Sequence, residues 1–276
     1  MLNTPLQRRE AFAVTATRLC SWLCAFLLGS LCLAASAQPL HLYTEEYPPI
    51  NFTQNGQPTG LATEVVREIM RRTGQNAPIN VVPWARGYQE ALVRANTGLF
   101  VTMRTSEREP LFKWVGPLTR NVISFYSLTS SYLSLSGLEQ ARHFDKIAVA
   151  RGWHSHQRLL AEGFTNLAPV TGPAQMVSML KRGRVKLIVL DNLSLNTLLT
   201  QGDIQADEVQ RLFTLTHSDS YIAFSRDTDD ALIQHWQREL DAMKADGSFT
   251  AIYHKWLPGE PVPSQAPQPT PTTDPL

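Results

Sequence analysis

Cysteine is scarce. The 276 residues hold three, Cys20, Cys24 and Cys32, and none follows position 32. That excludes a disulfide framework or a Cys-rich zinc site from the rest of the chain. An excess of either charge is also lacking, with 25 Lys+Arg against 24 Asp+Glu. Nucleic-acid binding draws on a basic excess to neutralise phosphates, so this balance argues against it. Beyond Ala37 no stretch approaches the roughly 18 apolar residues of a membrane helix. There is no Gly-x-Ser-x-Gly elbow, no Walker-type phosphate loop and no His-Glu-x-x-His pair. No motif asks for a cofactor. The one close histidine pair, His154 and His156, reads as loop histidines rather than metal ligands. No long internal repeat is visible, which argues against a solenoid.

What is present begins with two distinctive ends. Arg8, Arg9 and Arg18 precede an apolar run from Cys20 to Ala35, closed by Ala35-Ser36-Ala37. A basic start, a short apolar stretch and a small-x-small site are the parts of a secretory signal peptide. Residues 1–37 are therefore expected to be removed, leaving a periplasmic protein that starts at Gln38; an uncleaved anchor is the alternative. At the other end, seven prolines fall between Pro258 and Pro275, with almost no apolar side chain to bury. Residues 258–276 are expected to form an extended or disordered tail.

Between the ends, strands alternate with helices. Leu40–Thr44, Ile79–Val82 and Leu99–Met103 read as strands, with helices over Gly60–Gly74 and Arg86–Ala95. In the first helix Leu61, Val65 and Ile69 form one row and Ala62, Val66 and Met70 the next. The pattern recurs with strands Ile147–Ala150 and Leu187–Leu190 and helices His156–Glu162, Ala174–Arg182 and Asn192–Thr200. Strand Tyr221–Phe224 precedes a helix over Asp227–Asp246, capped by Asp227. Strand–helix–strand at this spacing implies parallel sheets in an α/β protein. Two such sets, joined by Asn121–Leu128 and Leu215–Phe224, suggest two lobes.

The candidate site residues follow strands. In open α/β sheets ligands sit beyond the carboxyl ends of strands. Arg104, Thr105 and Arg108 lie after one strand; an arginine there grips a carboxylate bidentately, or it pairs with Glu107 or Glu109 on the surface. Asp191 ends another strand, and either receives an ammonium group or caps the next helix. A cation and an anion at strand ends of different lobes suit a zwitterion between them. Tyr47 and Trp84, in loops after strands, offer apolar walls, whereas Tyr88, Trp114 and Trp236 read as packing residues. Trp153, His154 and Ser155 open a helix whose backbone N–H groups can hold an anion, unless Ser155 is simply its cap.

Four motifs, in order, carry a resemblance. Thr105-Ser106-Glu107-Arg108 is similar to a Thr-x-x-Arg signature, and Phe112-Lys113-Trp114-Val115-Gly116-Pro117-Leu118 stands where that family has Phe-Ser-x-Pro-Tyr. Gly183-Arg184-Val185-Lys186 with Asp191 is similar to its Gly-Arg-Val-Asp…Asp, and Gly247…Lys255-Trp256 to its ending. Over about Leu40 to Leu257 the chain thus resembles the extracellular solute-binding proteins of family 3, the amino-acid-type receptors of ABC importers. The resemblance implies the type II periplasmic-binding fold: two α/β lobes, each a mostly parallel sheet flanked by helices, joined by two crossover strands. Lobe 1 would take 38–120 and 221–257, and lobe 2 residues 121–220. It implies a monomer that closes on a small-molecule ligand and serves an inner-membrane permease or sensor. By resemblance Arg108 takes the α-carboxylate, Asp191 the α-ammonium, and Tyr47 and Trp84 flank the side chain. Val101 and Met103 stand where the family often has Ser or Gly, and Lys186 and Ala62 where Asp is common. The additional cations Arg104 and His154 point to a ligand with more negative charge. Alternatives are an enzyme on the same fold, like the cyclohexadienyl dehydratases, with Glu45, Glu46 or Asp191 as the acid, or an accessory protein that binds a partner.

N-terminal sequencing of the exported protein is expected to begin at Gln38; residues from before Ala35 would defeat the cleavage site.

Overall fold

Two strands of 17 residues organise the rest of the chain. The computed structural model describes residues 39–263, so the expected signal peptide and most of the proline-rich tail lie outside the described residues. Its elements run β1 (His41–Thr44), the hairpin β2 (Phe52–Gln54) and β3 (Gln57–Thr59), α1 (Leu61–Thr73), β4 (Ile79–Val81), α2 (Trp84–Val93), β5 (Thr97–Met103) and β6 (Phe112–Leu128). Then come β7 (Ile147–Ala150), α3 (His154–Ala161), β8 (Leu167–Val170), α4 (Pro173–Lys181), β9 (Leu187–Asp191), α5 (Asn192–Gln201), β10 (Val209–Ser225), α6 (Asp230–Ala245) and α7 (Ser248–Trp256).

Eight strands join in the order β4-β1-β5-β10-β6-β9-β7-β8. The triplets β4-β1-β5 and β9-β7-β8 are internally parallel. Between them lie the antiparallel β10 and β6. This is the expected two-lobed α/β periplasmic-binding fold, with β6 and β10 as the crossovers. Both are longer than the sequence suggested; in β6 the reason is Gly116-Pro117, which reads as a break. The chain absorbs that pair in an irregularity, where the register jumps from Ser220–Thr119 to Ile222–Val115. A proline's missing donor is tolerated at such a bulge.

Alternation along the strands feeds different cores. Phe100, Ile222 and Phe224 pack with Leu61, Val65, Ile69, Trp236, Leu240 and Phe249 from α1, α6 and α7. The intervening Leu99 and Ala223 meet Trp84 and Ala91 of α2. In the other half Ala148, Ala150, Ile188 and Leu190 face α4 and α5, whereas Ile147, Val149, Leu187 and Val189 face Leu159 of α3. Strands covered on both faces become continuous apolar runs, which is why Leu187–Leu190 has no polar residue.

Three helix starts differ from expectation. The second helix begins at Trp84 rather than Arg86, with Pro83 at its N-cap, because proline presets the first turn. Helix α3 starts at His154, so Ser155 lies within it rather than capping it. For α6 the cap is Asp229, whose carboxylate accepts from Ala231 N, and not Asp227.

Gly60, at the N-cap of α1, has φ 108° and ψ 173°, a region essentially confined to glycine. A Cβ there would fall 2.6 Å from the carbonyl oxygen of Ile50. Gly247 also has positive φ, 82°, but a Cβ there meets nothing within 4 Å. Gly60→Ala is expected to cost about 3 kcal/mol or more, and Gly247→Ala about 1 kcal/mol. Denaturant midpoints of the two variants check the order.

Candidate functional site

The ends of five parallel strands converge on one cavity. Glu45 and Tyr47 follow β1, Trp84 follows β4, and Arg108 follows β5; from the other triplet come Trp153, His154 and Ser155 after β7, and Asp191 at the end of β9. Val101, Met103, Ile123, Val189, Leu190 and Ser220 complete the lining. The cavity measures about 30 Å³, room for a water or two but not for an amino acid.

The loop that presents Glu45 and Tyr47 is tied to itself. Asn51 Nδ2 donates to Glu45 O at 2.7 Å, and Tyr47 N donates to Asn51 O at 2.6 Å. Val101 reaches the cavity by a different device. The ladder pairs Tyr221 with Thr102 and Ile222 with Phe100, so Val101 is the extra residue of a bulge. Its φ is 63°, rare for a β-branched side chain, and such strain gathers at functional sites.

Arg108 is 3% exposed. Its Nη1 donates to Met103 O at 3.1 Å, and its Nη2 to Gly152 O at 3.2 Å and Gln157 Oε1 at 2.8 Å. The guanidinium lies 4.7 Å from the Trp84 ring and 5.4 Å from that of Tyr88, and these two rings stack on each other. Its Nε is buried with no partner. Every acceptor it meets is neutral, and among the described residues it makes no ion pair. Burial lowers its pKa, but an arginine keeps its proton.

Two acids face the same space. Asp191 accepts from Leu193 N (2.9 Å) and Ser194 N (3.1 Å) through Oδ1, and from Ser194 Oγ (2.9 Å) through Oδ2. It is therefore the cap of α5 and a cavity residue at once. Burial raises its pKa, and these hydrogen bonds oppose the shift. Glu45 accepts a single bond, from Trp153 Nε1 at 2.9 Å. Burial pushes its carboxyl up to about 8; the Trp153 bond opposes this and the charge of Asp191 adds to it.

Trp153 bridges the halves. It meets Tyr47 edge-on at 5.1 Å, and it packs against cores on both sides. Gly152 has φ 78°, and a Cβ there would stand 3.1 Å from the Trp84 ring, so glycine lets this loop reach the opposite wall. Burial, followed by the charges of Arg108 and Arg158, brings the His154 pKa down to about 4, so the ring is neutral at neutral pH. His156 Nδ1 accepts from Gly152 N at 3.0 Å and closes the start of α3. The histidine pair thus serves two separate places rather than a loop surface. No group of three His, Cys, Asp or Glu placed to hold a metal occurs among the described residues.

Of the sequence candidates, the cavity gathers Tyr47, Trp84, Arg108, Trp153, His154, Ser155 and Asp191. It does not include Arg104 or Thr105. Arg104 pairs with Glu109, at 2.6 and 2.5 Å, and lies over the Trp114 and Tyr221 rings. The Thr105 hydroxyl and carbonyl accept from Arg108 N, which shapes the turn. With Arg104 committed to Glu109 and His154 uncharged, the expectation of additional positive charge at the site is not met. Tyr88 packs against the core around Trp84, Leu99 and Phe112 and is not part of the cavity lining, and Trp236 is fully buried core. Glu45 was legible by the same strand-end rule that found Asp191. Gln157, one helical turn into α3, had no signal.

A bilobal sheet with a buried arginine between its halves defines a solute-binding protein. The chain belongs to the bacterial extracellular solute-binding proteins, family 3, whose profile matches residues 41–259. A search among curated proteins gives no match. Similar solved structures share the fold at low identity. A histidine kinase sensor domain with similarity to periplasmic binding proteins is 20% identical, with TM-score 0.75, covering 82% of this chain and 98% of its own. A mutant of ArgBP from T. maritima is 18% identical, with TM-score 0.72, covering 80% and 96%. A substrate-binding protein of an ABC uptake transporter from Streptococcus pneumoniae, with bound histidine, is 15% identical, with TM-score 0.72, covering 82% and 95%. Family and neighbours are chiefly binding proteins.

A carboxyl raised on folding stabilises the fold below its unfolded value and loses that contribution as pH rises through the folded one. For Glu45 the window runs from 4.5 to about 8. The melting temperature without ligand is expected to fall across that window, and Glu45→Gln to flatten the fall. A parallel pH profile for the variant would contradict the assignment.

Proposed function

We propose that this protein is a periplasmic solute-binding protein that captures a small polar or zwitterionic solute, an amino acid or a relative of one, for ABC-type import. One observation carries the reading: Arg108 is a buried cation with neutral acceptors and no carboxylate. Buried charges are ordinarily paired, and a ligand carboxylate supplies the missing partner. The N–H groups that open α3 lie in the same wall. The lobes are residues 38–120 with 221–257, and residues 121–220, after a leader over 1–37. The protein works as a monomer that delivers its ligand to an inner-membrane permease. Similarity to a histidine kinase sensor domain supports a second reading, delivery of the same ligand signal to a membrane sensor.

Because the cavity is smaller than an amino acid, binding needs the lobes to part and close again. Small-angle scattering is expected to show compaction with saturating ligand. A thermal-shift screen of the standard L-amino acids finds the ligand, and its recovery unchanged separates binding from dehydratase chemistry. Arg108→Ala should weaken that ligand by about 30- to several-thousand-fold, the 2–5 kcal/mol lost when a desolvated charge pair is truncated. Its melting temperature without ligand should stay near the parent's. Calorimetry showing binding within about threefold of the parent would remove Arg108 from the site.

A further inference from the structure

We propose that Glu45, and not Asp191, is the acid that receives the ammonium group of the solute, while Asp191 positions the start of α5. This rests on the reading of the cavity as a site for a zwitterion anchored on Arg108.

The argument is an account of acceptors. An ionised carboxylate offers about four lone-pair positions. Asp191 fills three, with two backbone N–H groups and the Ser194 hydroxyl. Its charge is also set against the N-terminus of α5, where a carboxylate is at home. An ammonium group reaching Asp191 would find a single lone-pair position left. Glu45 has one donor, the Trp153 indole, and the rest of its carboxyl faces the cavity. It also stands on the same strand triplet as Arg108, at the end of β1, which pairs with β5. Both charges of a zwitterion can therefore dock on one lobe, with Trp153 closing over Glu45 from the other.

Without ligand the Glu45 carboxyl carries a proton at neutral pH, because burial raises it to about 8. The groups around it are Asp191 and Tyr47, neutral His154, and Arg108 across the cavity. An arriving ammonium favours the carboxylate. The proton then passes to solvent, and Glu45–COOH with R–NH₃⁺ becomes the pair Glu45–COO⁻···H₃N⁺–R plus one released H⁺.

The tightest amino acid from the screen and its des-amino carboxylic acid are the probes. Glu45→Gln keeps the shape and removes the charge. It is expected to weaken the amino acid by about tenfold or more and leave the des-amino acid within about threefold. At pH 7 the parent's binding heat should depend on the ionisation enthalpy of the buffer, and the variant's should not. Asp191→Asn remains a good cap and should fold. It is expected to lower the melting temperature and to weaken both probes alike. Selective loss of the amino acid in Asp191→Asn, with Glu45→Gln near the parent, overturns the inference and leaves the zwitterion reading standing. If no amino acid binds the parent, or if Arg108→Ala binds as the parent does, the reading itself fails and the inference with it.

Discussion

The structure turns on a buried guanidinium with no acid beside it. Taking an arginine out of water is costly unless something replaces its hydration. Here the replacements are carbonyls, an amide oxygen and two aromatic rings. They hold the group in a fixed orientation without neutralising it. A carboxylate in place would have made Arg108 part of the scaffold; among the described residues none pairs with it, and the charge is left uncompensated. The stacked Trp84 and Tyr88 pair provides a rigid floor, since the planar guanidinium lies flat on aromatic rings. Gly152 lets the opposite loop approach that floor closely enough for its carbonyl to reach Arg108.

Trp153 links this electrostatic centre to the packing of the whole molecule. Its ring lies against cores in both halves of the sheet, and its N–H meets Glu45. A side chain with an apolar body and a single donor suits that position. It shields the cavity while leaving a polar end to respond to what the cavity holds.

Most of the fold was legible because apolar runs, glycines and strand spacing are local signals. Ile147–Ala150 and Leu61–Thr73 stand out for that reason. The long crossovers were only half legible, because Gly116-Pro117 disguises the start of β6, and Val209–Thr214, the start of β10, pairs with residues about 80 to 90 positions away. At the site, strand-end placement singled out Arg108, Asp191, Trp84 and Tyr47. It could not decide between Arg104 and Arg108, since both follow β5. That choice depends on Glu109 being within reach of one and Gln157 of the other, and on side-chain contacts that cross the fold. Val101 was visible as a departure from a polar position, but its inward turn depends on a bulge set by β10.

The contacts that span the cavity are few and mostly neutral. Arg108 meets Gly152 and Gln157, and Trp153 meets Glu45 and Tyr47. Each hydrogen bond of this kind contributes on the order of 1 kcal/mol net. Together they hold the halves by a few kcal/mol, against the entropy of a freely moving pair of lobes. That is the range in which a ligand can decide the balance, since a shift from about 1:99 to 99:1 needs roughly 5.5 kcal/mol of preference for one state. A charge pair formed only when the lobes are closed over Arg108 has a strength of that order. Closure without ligand leaves the arginine buried and unpaired, and closure with ligand removes that penalty. On the proposed reading the same residue would recognise the solute and oppose closure in its absence.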